Sequence, residues 1–194
     1  MVNHCVVSDS QIKDILTYIK GIRHSEMIRM MFFCSLNGMR SINFAYLQLK
    51  DIYNSDGTIK SIIELNADKN KGKFRAEYYV NKQLKKEFED YYVFLKSKYG
   101  ERLTPETYLF TSQKLNKPFN RISISRIFHE IYHKFNISGA SHLGRVRYVS
   151  KLAESGVSAF LVQKLVNHKN ISTTQRYYTS NPQQLMNAAE LIRI

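Results

Sequence analysis

Breakers are scarce: three prolines and eight glycines are spread over 194 residues, with no Ser/Gly-rich stretch. That excludes an internal linker and implies one compact body over 1–194, long enough to bury a core without disulfides or metal. Cysteine is equally rare. Cys5 and Cys34 alone cannot form a disulfide framework and read as reduced thiols of a cytoplasmic protein. Long apolar runs are missing too: the most apolar stretch, Met27 to Leu36, is interrupted by Arg29 and is far too short to span a bilayer. No membrane partner is expected. The start, Met1 to Asp9, lacks a basic region followed by a long apolar segment, so no secretory signal is expected. The last deficit is acidic charge. Only 16 Asp plus Glu stand against 29 Lys plus Arg, a formal net charge of +13. A large anionic partner is therefore expected, with nucleic acid first.

Hydrophobic periodicity and breaker positions give a mainly α fold with a small antiparallel β-sheet. Ser8 or Ser10 can cap a helix over Gln11 to Ile22, and a strongly apolar helix runs from Ser25 to Leu36 until Asn37-Gly38 breaks it. A third helix is expected to begin near Arg40. Asp51 to Tyr53, the turn Asn54 to Gly57, and Thr58 to Leu65 read as strand, turn and strand; Phe74 to Val80 supplies another strand after a Lys/Gly-rich tip. Helices are then expected over Gln83 to Tyr99, Ser123 to Phe135, His142 to Glu154, Ala159 to Val166 and Ser172 to Tyr177. Tyr108 to Phe110 reads as a short extended piece. Leu185, Ala188, Ala189 and Ile192 share one face of the tail 182–194.

The C-terminal third carries a run of chemically pointed residues. His142-Leu143-Gly144-Arg145 is followed by Glu154-Ser155-Gly156-Val157, then Leu165-Val166-Asn167-His168, then Ile171-Ser172-Thr173-Thr174-Gln175-Arg176-Tyr177. This order resembles the tyrosine recombinase and phage integrase family, whose signature is His-x-x-Arg, a Gly-Val turn, a Leu-Gly-His element and Thr-Thr-x-x-Tyr. The interval from His168 to Tyr177 fits that signature. Upstream, Leu36 to Arg40 with Leu47, Leu49, Asp51 and Ile52 resembles the family's first arginine box. The resemblance spans roughly residues 8 to 190.

It implies an enzyme that cleaves and rejoins DNA strands through a 3′-phosphotyrosyl bond. Attack of a tyrosine oxygen on a phosphodiester builds negative charge on the non-bridging oxygens, and preorganised guanidinium groups, always charged and offering paired donors, stabilise it. The resemblance assigns that task to Arg40 and Arg145. His142, three residues before Arg145, can share its helical face, and His168 adds a further hydrogen bond. Tyr177 is the implied nucleophile, with Tyr178 its neighbouring rival. A tyrosine is a poor nucleophile at neutral pH, so a base or a positive field must ease loss of its proton. The 5′ oxygen needs a general acid, which in the family is a lysine of the hairpin tip. Lys71 best occupies that position; an inserted residue would transfer the role to Lys69. No cofactor and no metal is required, because the phosphotyrosyl bond conserves the energy of the phosphodiester.

Several positions depart from the family pattern. Asn43 stands where an acidic residue is usual, Gly144 where leucine is common, Val146 for a frequent histidine, and Asn167 for a frequent glycine. These departures leave open a slow enzyme, or a DNA-binding regulator of the same fold that does not cleave. A type IB topoisomerase shares the tyrosine strategy and is a closer alternative. His129-Glu130-Ile131-Tyr132-His133 matches the helical zinc-protease motif. However, Ile124, Ile127, Phe128, Ile131 and Phe135 form the apolar stripe of that helix and turn His129, His133 and Arg126 to its wet face, which disfavours that reading. That face is either solvated or meets a DNA backbone. The cluster from Lys69 to Arg75, with Lys82, Lys85 and Lys86 beyond it, reads as solvent-exposed charge on its own; in the context of the resemblance the Lys-rich hairpin would reach into a groove.

The resemblance implies double-stranded DNA as partner, bound in the cytoplasm at the nucleoid, with self-association from dimer to tetramer on DNA and an accessory DNA-bending protein. In the family the segment after the nucleophile docks on a neighbouring subunit, and 182–194 is the matching tail. Family members usually carry a separate N-terminal helical domain, whereas little chain precedes the first helix here. Both a minimal stand-alone form and an excised catalytic domain fit; the initiating Met1 leans toward the former.

Overall fold

A computed structural model describes residues 7–66, 75–111 and 117–178, together with Met186, Ala189 and Glu190. Among these, helices α1 (Asp9–Lys20), α2 (Ser25–Leu36), α3 (Ser41–Ala45) and α4 (Leu49–Ile52) precede strands β1 (Ile62–Leu65) and β2 (Ala76–Tyr79). After them come α5 (Lys82–Tyr99), α6 (Arg121–Lys134), α7 (Leu143–Glu154), α8 (Ala159–Leu165) and α9 (Ile171–Gln175). The expected mainly helical fold with one small antiparallel sheet is what forms.

Helix α2 is the hub, and its composition explains why. Seven of its twelve residues are buried, among them Met30 through Ser35 without interruption, so it is enclosed rather than amphipathic. It packs against α1, α5 and α7. The surrounding helices show one apolar stripe each: Ile12, Ile15 and Ile19 on α1, and Ile124, Phe128, Ile131 and Tyr132 on α6. Phe32 of α2 stacks on Phe128 of α6 with ring centroids 4.2 Å apart, fixing how the two helices meet. Local caps set the starts. Ser8 closes a capping box with Gln11 on α1, and Asn81 accepts the Leu84 N–H at 2.8 Å on α5. Beneath α2, Arg29 clamps the buried Glu87 of α5 by two bonds of 2.8 and 2.6 Å.

Among the described residues the sheet is smaller than the sequence implies. β1 and β2 pair antiparallel with Ile62 opposite Tyr79 and Leu65 opposite Ala76. Asp51 and Ile52 belong to a helical turn rather than a strand. The Asp51 carboxylate accepts the Gln48 N–H at 2.8 Å, and this short-range cap closes α4 where alternation alone suggests extension. Tyr53 and Ile59 keep only an isolated bridge across the turn at Gly57. Tyr108 likewise makes a single bridge, to Gln48, while Leu109 donates to the Leu47 carbonyl at 2.7 Å. The tip 67–74, with Lys69 and Lys71, lies outside the described residues, as does most of the tail 182–194.

Candidate active site

Among the described residues Arg145 is the most deeply buried charge. Its side chain, on the first turn of α7, is 1% exposed and is the largest fully buried one. It donates to two main-chain carbonyls, Gly38 from Nη1 and Val166 from Nη2. Both carbonyls are presented by turns that end helices. Gly38 has φ +83°, and an added Cβ would come within 2.7 Å of the Tyr148 ring, so the turn after α2 requires glycine. Asn167 follows α8 with φ +53°, a left-handed conformation that asparagine tolerates. Its own carbonyl accepts a 2.8 Å bond from Arg40 Nη2. The two arginines, far apart in sequence, are thus anchored to the same turn by peptide oxygens.

Among the described residues neither Arg40 nor Arg145 pairs with a carboxylate, whereas Arg29, Arg75, Arg126 and Arg147 all do. Carbonyls orient a guanidinium but leave its charge uncompensated, and a buried uncompensated charge is costly unless an anion arrives. Burial, aided by repulsion from Arg40, lowers the Arg145 pKa to about 10, so it remains protonated at neutral pH. The hydroxyl of Tyr78, on β2, favours its charged form. Among the described residues that buried hydroxyl and Arg145 Nε nonetheless complete no hydrogen bond.

Around this pair sit the other chemically active side chains. Burial, then the fields of Arg145, Arg40 and His142, push His168 down to about 4, so its imidazole is neutral at physiological pH. Its Nδ1 lies 2.8 Å from the Thr174 hydroxyl on α9. When that hydroxyl donates, the ring proton sits on Nε2, available to an acceptor in the site. His142 stands exposed at the start of α7. Tyr177 follows α9, half-buried and packed against the small apolar cluster of Val149, Val162 and Val166. Burial raises its hydroxyl pKa; Arg145 and Arg176 oppose that rise. Tyr178 is differently placed: its hydroxyl donates to the Val157 carbonyl at 2.5 Å.

The structure therefore brings Arg40, His142, Arg145, His168 and Tyr177 into one electrostatically coupled group, while Lys71 and its alternative Lys69 fall outside the described residues. Sequence reasoning missed the supporting partners: the Gly38, Val166 and Asn167 carbonyls, Thr174 as the contact of His168, and Tyr78 beside Arg145. Thr174 alone carried a signal, as part of the Thr-Thr-x-x-Tyr run. The departure at Gly144 has a local reason, since an added Cβ would sit 2.5 Å from Ser35 Oγ where α2 and α7 touch. Asn43 is wholly buried on α3.

On the exposed face of α6, His129 and His133 stack with centroids 6.0 Å apart, and Glu130 pairs with Arg126 at 3.4 Å. No group of three or more His, Cys, Asp or Glu that could hold a metal comes together among the described residues. No helix among them is long and apolar enough to cross a membrane.

The chain is 29% identical over 189 residues to tyrosine recombinase XerD of Rickettsia prowazekii (strain Madrid E), an alignment covering 89% of this chain and 58% of the relative. It is 26% identical over 174 residues to transposase A from transposon Tn554 of Staphylococcus aureus, covering 87% and 46%. The chain thus spans about half the length of these curated relatives. Its fold matches the XerH site-specific recombinase bound to difH substrate in a pre-cleavage complex, with a TM-score of 0.71 at 17% identity, covering 95% of this chain and 53% of the other. The profile of the phage integrase family matches residues 6–184, and the chain belongs to that family.

Proposed function

We propose that the chain is the catalytic domain of a site-specific recombinase that cleaves and rejoins double-stranded DNA with Tyr177 as nucleophile. The observation that carries this reading is the buried guanidinium of Arg145, held by carbonyls, without a carboxylate among the described residues, and electrostatically coupled to the Tyr177 hydroxyl. A scissile phosphate is the anion such a site fits. Arg40 and Arg145 would neutralise the charge that grows on its non-bridging oxygens, and removing such a donor typically costs a factor of about 10²–10³ in rate. His168 would donate through Nε2, and His142 would accept the tyrosine proton or hold a phosphate oxygen. In the step itself the Tyr177 Oη–P bond forms and the P–O5′ bond breaks. The tyrosine gives up its proton, and the departing 5′ oxygen receives one from Lys71, or from Lys69 in its place. One phosphoester replaces another, so reversal on a new 5′ hydroxyl rejoins strands without an external energy source.

Assembly is part of the same reading. Exchange between two sites needs several active sites, so the protein would act as a dimer to tetramer on DNA, with residues 182–194 docking on a neighbour and an accessory DNA-bending protein aiding some sites. The work would take place at the nucleoid, and the names of its relatives suggest a mobile element as the setting. The test is a nicked suicide-substrate library assayed for a denaturation-resistant protein–DNA adduct, with the modified residue mapped by mass spectrometry. An adduct on Tyr177, absent in Tyr177→Phe, is expected. Tight, salt-sensitive binding with no adduct on any sequence would instead make the protein a non-cleaving regulator. Relaxation of supercoiled DNA lacking paired sites would make it a topoisomerase.

A further inference from the structure

The turn that carries His168 is fastened to the sheet by a side chain. Asn167 Nδ2 donates to the Glu77 carbonyl at 2.8 Å, and the Glu77 N–H donates to Asn167 Oδ1 at 3.2 Å. One amide thereby satisfies both main-chain groups of a residue in β2, as a neighbouring strand would. The sheet has only two described strands, so the groups of Glu77 that point away from β1 have no ladder partner of their own. The same Asn167 gives its carbonyl to Arg40 and precedes His168, and the next residue along β2, Tyr78, lies beside Arg145. Three bonds from one residue therefore tie β2 to the group that would hold the phosphate.

Asn167 also occupies a left-handed backbone position, φ +53°, where glycine would be less strained. Were backbone freedom the sole demand at this turn, glycine would serve better. Asparagine gives up some of that freedom and gains the two bonds to Glu77.

We propose that Asn167 is a positioning residue that clips the lysine-bearing hairpin to the phosphate-holding turn, setting the leaving-group acid against the same phosphate that Arg40 and His168 hold. The inference rests on the strand-transfer reading above, and on a lysine of the tip between β1 and β2 as the proton donor. Asn167 itself touches neither phosphate nor tyrosine; it acts through β2.

The experiment compares wild-type protein with Asn167→Gly, which tolerates the positive φ and keeps the carbonyl for Arg40. Two nicked substrates are used, one with the ordinary 5′ oxygen and one with a bridging 5′ sulfur, whose thiolate departs without a proton. General acids contribute about 10²–10⁴, so a displaced one should slow cleavage of the oxygen substrate at least about tenfold. Cleavage of the sulfur substrate should stay within about twofold of wild type if the acid alone is misplaced. Exchange of the Glu77 amide hydrogen should accelerate in the variant while that of α8 does not change.

Equal loss on both substrates would overturn the proposal, because Asn167 would then serve the phosphate-holding groups or general folding. Unchanged rates on both, or unchanged Glu77 exchange, would overturn it too. Wild-type protein that forms no Tyr177 adduct on either substrate would overturn the strand-transfer reading and the role of the clip with it. Normal wild-type cleavage with an indifferent variant would overturn the clip alone.

Discussion

Tyr177 and Tyr178 are adjacent in sequence, yet their hydroxyls sit in different fields. That of Tyr177 is coupled to Arg145 and Arg176, while that of Tyr178 is held by the Val157 carbonyl. Tyr177→Phe is expected to abolish the covalent adduct without changing DNA affinity. Tyr178→Phe should keep adduct formation and lose about 1 kcal/mol or less of stability, the net worth of a partly exposed hydrogen bond, readable by urea unfolding. His168 adds a pH dependence whose sign follows from its depressed pKa. The unfolded chain takes up a proton on this ring as pH falls through the ordinary value of 6.5, whereas the folded protein resists until about 4. The contribution to stability is therefore complete above 6.5 and is lost as pH falls toward 4. Unfolding of the wild type and His168→Gln at pH 7 and pH 5 should show the larger loss in the wild type; parallel losses would refute the assignment. At this scale the chemically charged residues were legible from their order and spacing. The carbonyls that aim Arg40 and Arg145 were not, because a peptide oxygen has no residue identity and its direction depends on the turns at Gly38 and Asn167.

At the scale of elements, the site depends on how closely α2 and α7 approach. Ser35 Oγ donates to the Ser141 carbonyl at 2.9 Å, and Gly144 faces Ser35 with no room for a Cβ. Arg145 is the next residue, and the Gly38 carbonyl that holds it lies two residues past the end of α2. Gly144→Ala should force the helices apart, costing about 1–3 kcal/mol by overpacking. It should also slow cleavage by more than that stability loss explains, since Arg145 would move relative to Gly38 and Val166. Thermal melts and single-turnover cleavage of the same variant check the two effects separately. Helix α2 was legible to its end residues because an enclosed apolar run bounded by Asn37-Gly38 has one reading. Asp51 and Ile52, expected in a strand with Tyr53, are helical because their fold is decided by one short-range contact, the Asp51 carboxylate on the Gln48 N–H; Tyr53 itself is extended. Hydrophobic alternation carries no trace of such a contact. The reduced sheet has the same origin, with Tyr53 and Ile59 left as a single bridge.

For the whole molecule, a net charge of +13 says that an anion is sought but not where it lies. The ion pairs sharpen the answer. Arg126 on the wet face of α6 is paired with Glu130, and Arg75 on the sheet with Glu64 and Glu77, so these cations are already partly neutralised within the protein. Arg40 is not paired with a carboxylate among the described residues, and its guanidinium is held by a carbonyl next to His168. Each phosphate neutralised on duplex DNA adds about 0.9 to the slope of log affinity against log salt concentration. Arg40→Ala should therefore flatten the slope by about one such unit, together with its loss of cleavage. Arg126→Ala should leave both slope and cleavage unchanged, because Glu130 already holds its charge. A slope reduced by about one unit in Arg126→Ala would place a backbone phosphate on α6 and move the binding face away from the arginine site. Fluorescence anisotropy titrations across a salt series, at equal protein oligomeric state, distinguish the two faces; under this argument the charge that matters is the one the fold leaves uncompensated, rather than the total the composition supplies.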